Sequence, residues 1–265
     1  MTEMKSVVRS LRILEAVAQH QPVTVGELTK LFGLPKSTVQ RTLLTLNEAG
    51  WLRASRGDRT RWEIGARVLA VRPAALQGSN LLAAARDPML RLRKTVNETI
   101  HLSVPDGLQC MVVVDRIDCD RPVRTYHEIG DTSPLHATAT GRAILAHLPP
   151  SEVDEIIAGK LERYSDSTLT DPDELRADLE RIRRDGYALN RNQYRPDVCA
   201  IAAPIMANDS TPIATIAISM PASRWEPDRV PELGAQVAEA AADIATRHDT
   251  AAVLFMPKTG NASGR

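Results

Sequence analysis

The sequence predicts an α+β protein with two domains of different architecture. About the first 66 residues carry three short helical patterns followed by one hairpin pattern, whereas the rest of the chain alternates pairs of apolar strands with amphipathic helices. Antiparallel hairpins with segregated helices are typical of α+β folds and not of doubly wound nucleotide-binding sheets. A chain of 265 residues is long enough for two modest domains.

Two short helices are predicted at the start of the chain. Residues 6–18 carry apolar side chains at helical spacing, which predicts an amphipathic helix with this stripe in the core. The stripe consists of Val7, Leu11, Leu14 and Ala18. Thr24 is expected to cap a second helix through Leu31, and Gly33 is expected to end it in the left-handed conformation.

Residues 34–46 predict a third helix with one buried face and one polar face. Val39, Leu43 and Leu46 recur at helical spacing, and Pro35 suits the first helical position, where no amide hydrogen is needed. The opposite face carries short donors and cations of the kinds that bind base edges and phosphates. These candidate DNA-binding residues are Lys36, Ser37, Thr38, Gln40 and Arg41. Three helices with such short turns predict a helix-turn-helix.

A β-wing is predicted directly after this helix. Residues 51–54 and 61–64 alternate like strands around a polar turn, with Gly57 and Asp58 at the expected hairpin tip. Arginines on an exposed hairpin are often only solvated, but beside a helix of this kind they favour phosphate contact. The candidate phosphate-binding residues of the wing are Arg53, Arg56, Arg59 and Arg61.

The distribution of charge supports two different roles for the two parts. The chain has 33 basic and 33 acidic residues and is formally neutral. Up to Arg72 there are 12 basic and 6 acidic residues, a net charge of +6, so the remainder carries −6. A basic head on an acidic body is expected when a nucleic-acid-binding module is joined to a second domain.

The sequence predicts a linker, a second domain and a tail. A helical pattern begins at residue 81, and Pro88 is expected to interrupt it and to start another helix. Tight turns predict strand pairs, at 99–105 with 109–117 and at 198–206 with 212–220. Helices are predicted at 138–147, 151–159, 171–184 and 227–247. The predicted boundaries are 1–66 for the first domain, 67–87 for the linker, 88–248 for the second domain and 249–265 for a loosely ordered tail.

Several classes of protein are disfavoured by composition. No apolar run approaches the roughly 20 residues that span a bilayer, and the amino terminus has no hydrophobic signal core. We therefore expect a cytoplasmic protein. Three cysteines without a C-x-x-C pair predict neither a disulfide framework nor a cysteine zinc site, and no cofactor is expected.

The order of these motifs resembles the IclR family of bacterial transcriptional regulators over residues 5–247. The residues that carry the resemblance are Leu34 to Val39 with Arg41 and Leu43, Trp62 to Gly65, Gly130, Pro134 to Ala143, and Cys199 to Ile205. Members combine a winged helix-turn-helix with a GAF-like effector-binding domain. They bind operators as dimers or dimers of dimers, as repressors or activators, commonly of organic-acid or aromatic catabolism. The resemblance implies double-stranded operator DNA and a small-molecule effector as partners.

The resemblance also implies an effector pocket between the sheet and residues 134–141, completed by the two late strands. The residues at matching positions are Leu135, His136, Thr138, Ala139, Thr140, Gly141, Asn190, Cys199, Ala200 and Ser219. A helix that starts near Thr138 would present amide hydrogens that favour a carboxylate. The expected effector is therefore a small organic or aromatic acid.

At some positions this sequence departs from the family pattern, and there the resemblance does not decide which residues face the pocket. Asn190 stands where the family often has an acid, and Asp197 stands where glycine is usual. Because neighbouring residues of a strand face opposite ways, either Cys199 or Ala200 is expected to face the pocket. For His136, local backbone hydrogen bonds are favoured over ligand contact.

Two alternatives remain beside the ligand-controlled regulator. One is a DNA-binding protein whose second domain serves oligomerisation alone. An enzyme would pair Cys199 with His136 or His101, or bind a metal through His127, His136 and Asp131. No recognisable catalytic signature surrounds these residues, so catalysis is not expected.

Overall fold

In the computed structural model, residues 5–55, 59–71 and 81–254 are described, and they belong to two compact units, Met1–Pro73 and Ala74–Arg265. The division between the units falls inside the segment predicted as a linker. Arg56 and the expected hairpin tip at Gly57 and Asp58 lie outside the described residues, as do residues 72–80 of the predicted linker and residues 255–265 of the predicted tail.

The first unit is a winged helix-turn-helix, as predicted. Its helices are α1 (Lys5–His20), α2 (Val25–Phe32) and α3 (Lys36–Glu48), and its hairpin consists of the antiparallel strands β1 (Leu52–Ser55) and β2 (Arg61–Ile64). Thr24 and Glu27 form a reciprocal capping box at the start of α2, and Gly33 ends this helix at φ 60°. Pro35 precedes the first helical residue of α3 and does not occupy that position, which corrects the sequence expectation.

The predicted core stripe of α1 was wrong at Val7, Leu11 and Ala18, whereas Leu14 is half-buried against the core. The helix buries Ile13, Ala16 and Val17, whereas Val7 is 48% exposed and Leu11 is 53% exposed. Apolar side chains therefore lie on two faces of α1. A helix that packs on one side buries only one of these two faces. Helical spacing does not show which of the two faces meets Leu28, Val39, Leu43 and Trp62 in the core of this unit.

The second unit begins with α4 (Leu81–Val96), which runs through Pro88 without a break. The expected interruption at this proline was therefore wrong. A proline inside a helix removes one hydrogen bond and crowds the preceding turn. Here the same helix buries Ala85, Met89 and Leu92, and this apolar burial offsets the local cost.

Six strands form one antiparallel sheet in the second unit. They are β3 (Thr99–Asp106), β4 (Cys110–Ile117), β5 (Thr132–Pro134), β6 (Ala188–Arg191), β7 (Val198–Met206) and β8 (Pro212–Pro221). Their order is β5-β4-β3-β8-β7-β6. Both predicted hairpins are present, whereas β5 and β6, with three and four residues, were not predicted because alternation is not recognisable over so few positions.

Helices cover both faces of this sheet. They are α4 and α8 (Val230–Leu254) on one face, and α5 (Ala139–Leu145), α6 (Pro150–Ala158) and α7 (Pro172–Asp185) on the other. Because side chains alternate along a strand, Ile201 of β7 packs with α4 and α8, whereas Ala202 packs with α5 and α7. The backbone of α8 continues to Leu254, so the tail predicted from residue 249 begins later than expected.

Gly141 allows the segment before α5 to lie directly against that helix. A Cβ atom at Gly141 would stand 2.2 Å from the carbonyl oxygen of Leu135 and 2.4 Å from its Cα. Backbone atoms cannot yield as the end of a flexible side chain can. The close packing of Leu135 against α5 therefore requires glycine at position 141.

Replacing Gly141 with alanine is expected to lower the thermal stability of the second unit. The added methyl group must displace the backbone of Leu135, and overpacking of this kind costs about 1–3 kcal/mol. Differential scanning calorimetry of the full chain measures the effect. Gly26→Ala is the matched control, because the nearest atom to its added Cβ is 3.9 Å away, and an equal loss in both variants would contradict the packing role.

Candidate functional site

The polar face of α3 is exposed and unoccupied by the rest of its own unit. Lys36, Ser37, Gln40 and Arg41 are exposed, and no described residue hydrogen bonds to or forms an ion pair with their side chains. Thr38 is half-buried, and the opposite side of the helix is anchored in the core. These donors and cations have no partner among the described residues, and their contact with DNA stays a prediction.

The arginines of the wing differ in their surroundings. Arg53 forms an ion pair with Glu63 across the hairpin, with Nη2 and Oε2 2.7 Å apart. Arg61 donates through Nη1 to the carbonyl oxygen of Pro22 at 3.0 Å. Arg59 is exposed and has no partner among the described residues. The wing therefore presents one unengaged cation in its described part, where the sequence suggested equal roles for all four arginines.

The second unit contains a cleft on the face of the sheet that carries α5. The empty space between its walls, counted out into the open solvent at its mouth, is about 600 Å³. Six of the residues predicted to bind an effector line it together. They are Thr138, Ala139, Thr140, Asn190, Ala200 and Ser219.

Four predicted residues lie elsewhere. Cys199 is buried in the apolar cluster with α4 and α8, and its thiol donates to Oδ1 of Asn192 at 3.4 Å. Leu135 packs in the apolar cluster on the other face of the sheet, with α5 and α7. Gly141 lies against the backbone of Leu135. Nε2 of His136 lies 2.9 Å from the carbonyl oxygen of Glu162, in a separate surface groove. The alternation of β7 places Ala200, and not Cys199, in the cleft.

One backbone amide at the start of α5 is capped by the protein itself. Oγ1 of Thr138 accepts a hydrogen bond from the amide of Gly141 at 3.0 Å and donates to the carbonyl oxygen of Pro134 at 2.9 Å. Asn190 is engaged as well, because its side-chain amide donates to the carbonyl oxygen of Ala137 at 2.7 Å. The amide of Gly141 is therefore not available to a ligand, and the expectation that the other amides of this terminus favour a carboxylate stays a prediction.

The sequence analysis missed the polar wall of the cleft. This wall contains His101 and Ser103 of β3, together with His127, Asp131 and Arg195 from two loops. On β3 there was a signal: two polar residues at i and i+2 in an otherwise apolar strand point to one face. The loop residues His127, Asp131 and Arg195 carried no such signal, because a loop has no periodicity from which the direction of a side chain could be predicted.

Burial sets the protonation of the two histidines. Their rings meet edge to face with centroids 5.0 Å apart. Burial, with smaller effects from His127, Arg116 and Arg195, lowers the pKa of His101 to about 3. Burial and Arg195 also lower the pKa of His127, against the opposing effect of Asp131, whose Oδ2 lies 3.9 Å from Nδ1. His101 is therefore neutral near pH 7.

The catalytic and metal-binding alternatives do not form. Cys199 and His136 lie in different environments, and burial raises the pKa of the Cys199 thiol, which disfavours the reactive thiolate. His136 is also separated from His127 and Asp131. Within the described part of the chain, no group of three or more His, Cys, Asp or Glu side chains is placed to hold a metal ion.

No helix among the described residues is both long enough and apolar enough to cross a membrane.

Two family models match the chain and together cover most of it. The model "IclR helix-turn-helix domain" matches residues 6–56, and the model "Bacterial transcriptional regulator IclR C-terminal" matches residues 73–246. The matches therefore cover both compact units.

Characterised relatives are similar over nearly the whole chain. The transcriptional repressor IclR of Escherichia coli is 34% identical over 245 residues, which cover 91% of this chain and 89% of that protein. The acetate operon repressor of Salmonella typhimurium is 33% identical over the same shares of the two chains.

Solved structures show the same fold. Thermotoga maritima IclR matches with a TM-score of 0.76 at 24% identity, over 93% of this chain and 100% of the other. An IclR homolog from Microbacterium hydrocarbonoxydans, complexed with 4-hydroxybenzoate, matches with a TM-score of 0.74 at 24% identity over the same shares. From the family models, the relatives and the two units described above, it follows that this chain belongs to the IclR family of bacterial transcriptional regulators.

Proposed function

We propose that the protein regulates transcription by binding an operator through α3 and the wing, and that a small organic acid in the cleft changes its operator affinity. The observation that carries this proposal is the pairing of a free polar helix face in one unit with a polar-walled cleft in the other. The cleft combines apolar walls with a few polar side chains, as sites for small molecules typically do.

For DNA recognition, we assign the base contacts to the first turns of α3. Gln40 and Arg41 are of the types that form bidentate hydrogen bonds to adenine and guanine edges, and Lys36 and Ser37 suit phosphates. Arg59 supplies a phosphate contact from the wing. Arg53 and Arg61 have a smaller share, because Glu63 and the Pro22 carbonyl compete for their guanidinium groups.

We further propose that the protein binds its operator as a dimer that uses the exposed stripe of α1. Val7 and Leu11 lie uncovered one turn apart on this helix. Two copies in contact would present two α3 helices to half-sites about one helical turn or more apart. A ligand that binds one arrangement of the dimer more tightly than another then shifts the population of operator-competent molecules.

The α3 assignment predicts different effects for different arginines. With a duplex selected from random sequences by the wild-type protein, Arg41→Ala is expected to weaken binding by about 10-fold or more, since a lost bidentate base contact costs about 1–3 kcal/mol. Arg59→Ala is expected to reduce the slope of log affinity against log salt by about 1, and Arg53→Ala by less. Fluorescence anisotropy at several salt concentrations measures both quantities.

The control for this series is Arg184→Ala, which removes an exposed cation from the second unit. Its affinity and salt slope are expected to equal those of the wild type. Unchanged binding in Arg41→Ala, Lys36→Ala and Arg59→Ala would refute the assignment of the DNA-binding face.

The cleft assignment predicts a ligand-dependent change in operator affinity. Titration of organic acids, starting with 4-hydroxybenzoate, into the operator complex is expected to change the affinity by about 5- to 150-fold for a matching acid. Ala200→Leu fills the cleft and is expected to abolish the response, whereas Gln109→Ala, in the separate groove, is expected to retain it. If no acid alters operator affinity or melting temperature, the alternative of a purely oligomerising unit is favoured.

The dimer assignment predicts that a charge on the α1 stripe weakens self-association. Leu11→Glu is expected to shift the protein toward a monomer in sedimentation velocity experiments, because a buried carboxylate would lack a partner. Glu15→Gln, on an exposed position of the same helix, is the control. An unchanged mass distribution in Leu11→Glu would exclude this stripe from the interface.

A further inference from the structure

We propose that Leu44 of α3 contacts the methyl group of a thymine in the operator and thereby makes one position of each half-site specific for a T·A pair. The inference rests on the operator binding through α3 that is proposed above, and it names a residue and a base for one contact. Leu44 is a large apolar side chain on a helix face that is otherwise polar.

The core of the first unit does not use Leu44. The residue is 44% exposed, whereas Leu43 is completely buried and Leu46 packs against the core. Among the described residues, Leu44 is neither part of this apolar cluster nor one of the side chains packed against it. The fold of the first unit therefore does not require an apolar residue at this position.

The helix places Leu44 between the two side chains to which the base contacts are assigned above. With 3.6 residues per turn, Leu44 lies about 40° around the helix axis from Gln40 on one side and about 60° from Arg41 on the other. Long side chains of a helix lean toward its amino terminus, so the methyl groups of Leu44 lie over the turn that carries Gln40 and Arg41. Leu44 therefore faces the same groove, beside the base pairs that these two residues read.

The spacing is that of a recognition helix. Helices of this kind can read the major groove with side chains at i, i+3, i+4 and i+7. These four positions are all exposed in α3, and they are Ser37, Gln40, Arg41 and Leu44. Glu48 is the next exposed residue on this face, and its carboxylate would be repelled by phosphates. Leu44 is thus the last residue of this face that suits contact with DNA.

The surroundings of Leu44 favour DNA over a protein partner. The core of a protein interface is poor in charged residues, but Leu44 is surrounded by charged and polar side chains that would lose water against an apolar surface. These neighbours are Gln40, Arg41, Thr45 and Glu48. The major groove offers hydrogen-bonding base edges to polar side chains, and the methyl group of thymine to an apolar one. An exposed leucine among donors therefore fits thymine better than the other bases.

The experiment removes single methyl groups from the DNA. In a duplex selected from random sequences by the wild-type protein, each thymine in turn is replaced with uracil, which keeps the hydrogen-bonding groups and lacks only the methyl. Fluorescence anisotropy with the full-length protein is expected to show a loss of affinity of about 4-fold at one thymine of each half-site, the factor that burial of one methyl group contributes. If uracil is tolerated at every thymine, or if the selected half-sites contain no thymine, the proposal is overturned.

A second series removes the leucine side chain. Leu44→Ala is expected to bind the selected duplex about 4-fold or more weakly, and to bind the thymine and uracil forms equally. Leu44→Met keeps an apolar side chain of similar volume and is expected to retain the preference for thymine. An equal penalty for uracil in Leu44→Ala and in the wild type would show that the methyl group acts without Leu44, which refutes the assignment.

Selection from random duplexes with Leu44→Ala gives an independent readout. The consensus is expected to lose its thymine at this position and to keep the positions that Gln40 and Arg41 read. A consensus that is unchanged, or relaxed at every position, contradicts the proposal.

Controls separate base recognition from folding and from self-association. Leu31→Ala removes a leucine that is 56% exposed on α2, outside the assigned DNA-binding face, and it is expected to leave the affinity and the uracil penalty unchanged. Circular dichroism and sedimentation velocity without DNA are expected to give wild-type results for Leu44→Ala. A shift toward lower mass would instead place Leu44 in an interface between two copies and overturn the inference.

The outcomes also distinguish this inference from the proposed function. Weakened binding in Arg41→Ala together with full tolerance of uracil would overturn the role of Leu44 and leave the proposed regulator intact. Retained affinity in Arg41→Ala, Lys36→Ala and Arg59→Ala would instead refute the DNA-binding face on which the role of Leu44 depends.

Discussion

The second unit is organised around one buried charge, the guanidinium group of Arg142. The residue is 0% exposed, and its donors meet a carboxylate oxygen of Asp178, the carbonyl oxygen of Leu189 and the side-chain oxygen of Gln193. An uncompensated buried charge of this kind costs several kcal/mol, so these three acceptors must stay in place. The interaction thereby ties α5 to α7, to β6 and to the loop that follows β6.

The cleft depends on this arrangement. Thr138, Ala139 and Thr140 approach the sheet from the start of α5, and Tyr194 and Arg195 follow Gln193 in the loop that Arg142 holds. Asn190 adds a second connection, because it bonds to the carbonyl oxygen of Ala137. The floor is formed by small residues of β7 and β8, where larger side chains would fill the space. These contacts surround a site whose polar wall contains, among the described residues, one buried ring nitrogen without a hydrogen-bond partner, Nε2 of His101.

Much of the architecture could be predicted because local interactions determine it. The capping box at Thr24 and the left-handed Gly33 depend on atoms within a few residues, and the helical spacing of Val39 and Leu43 in α3 is likewise a local pattern. The two long hairpins of the sheet were also predictable from their tight turns and apolar runs. The cleft was predicted in part: its α5 and β7 side followed from the family resemblance, whereas its histidine and arginine wall did not.

By itself, the sequence determined the three helices and the wing of the first unit, the two long hairpins of the sheet, the polar face of α3 and the family, since each depends on residues that are near one another along the chain. The tertiary structure decided which face of α1 is buried, that α4 continues through Pro88, and that Ala200 and not Cys199 lines the cleft. It also brought together His101, His127 and Arg195, the first and last of which are 94 positions apart in the chain. These outcomes depend on which distant surfaces pack together, and the energy of that packing exceeds the local preferences from which the sequence was interpreted.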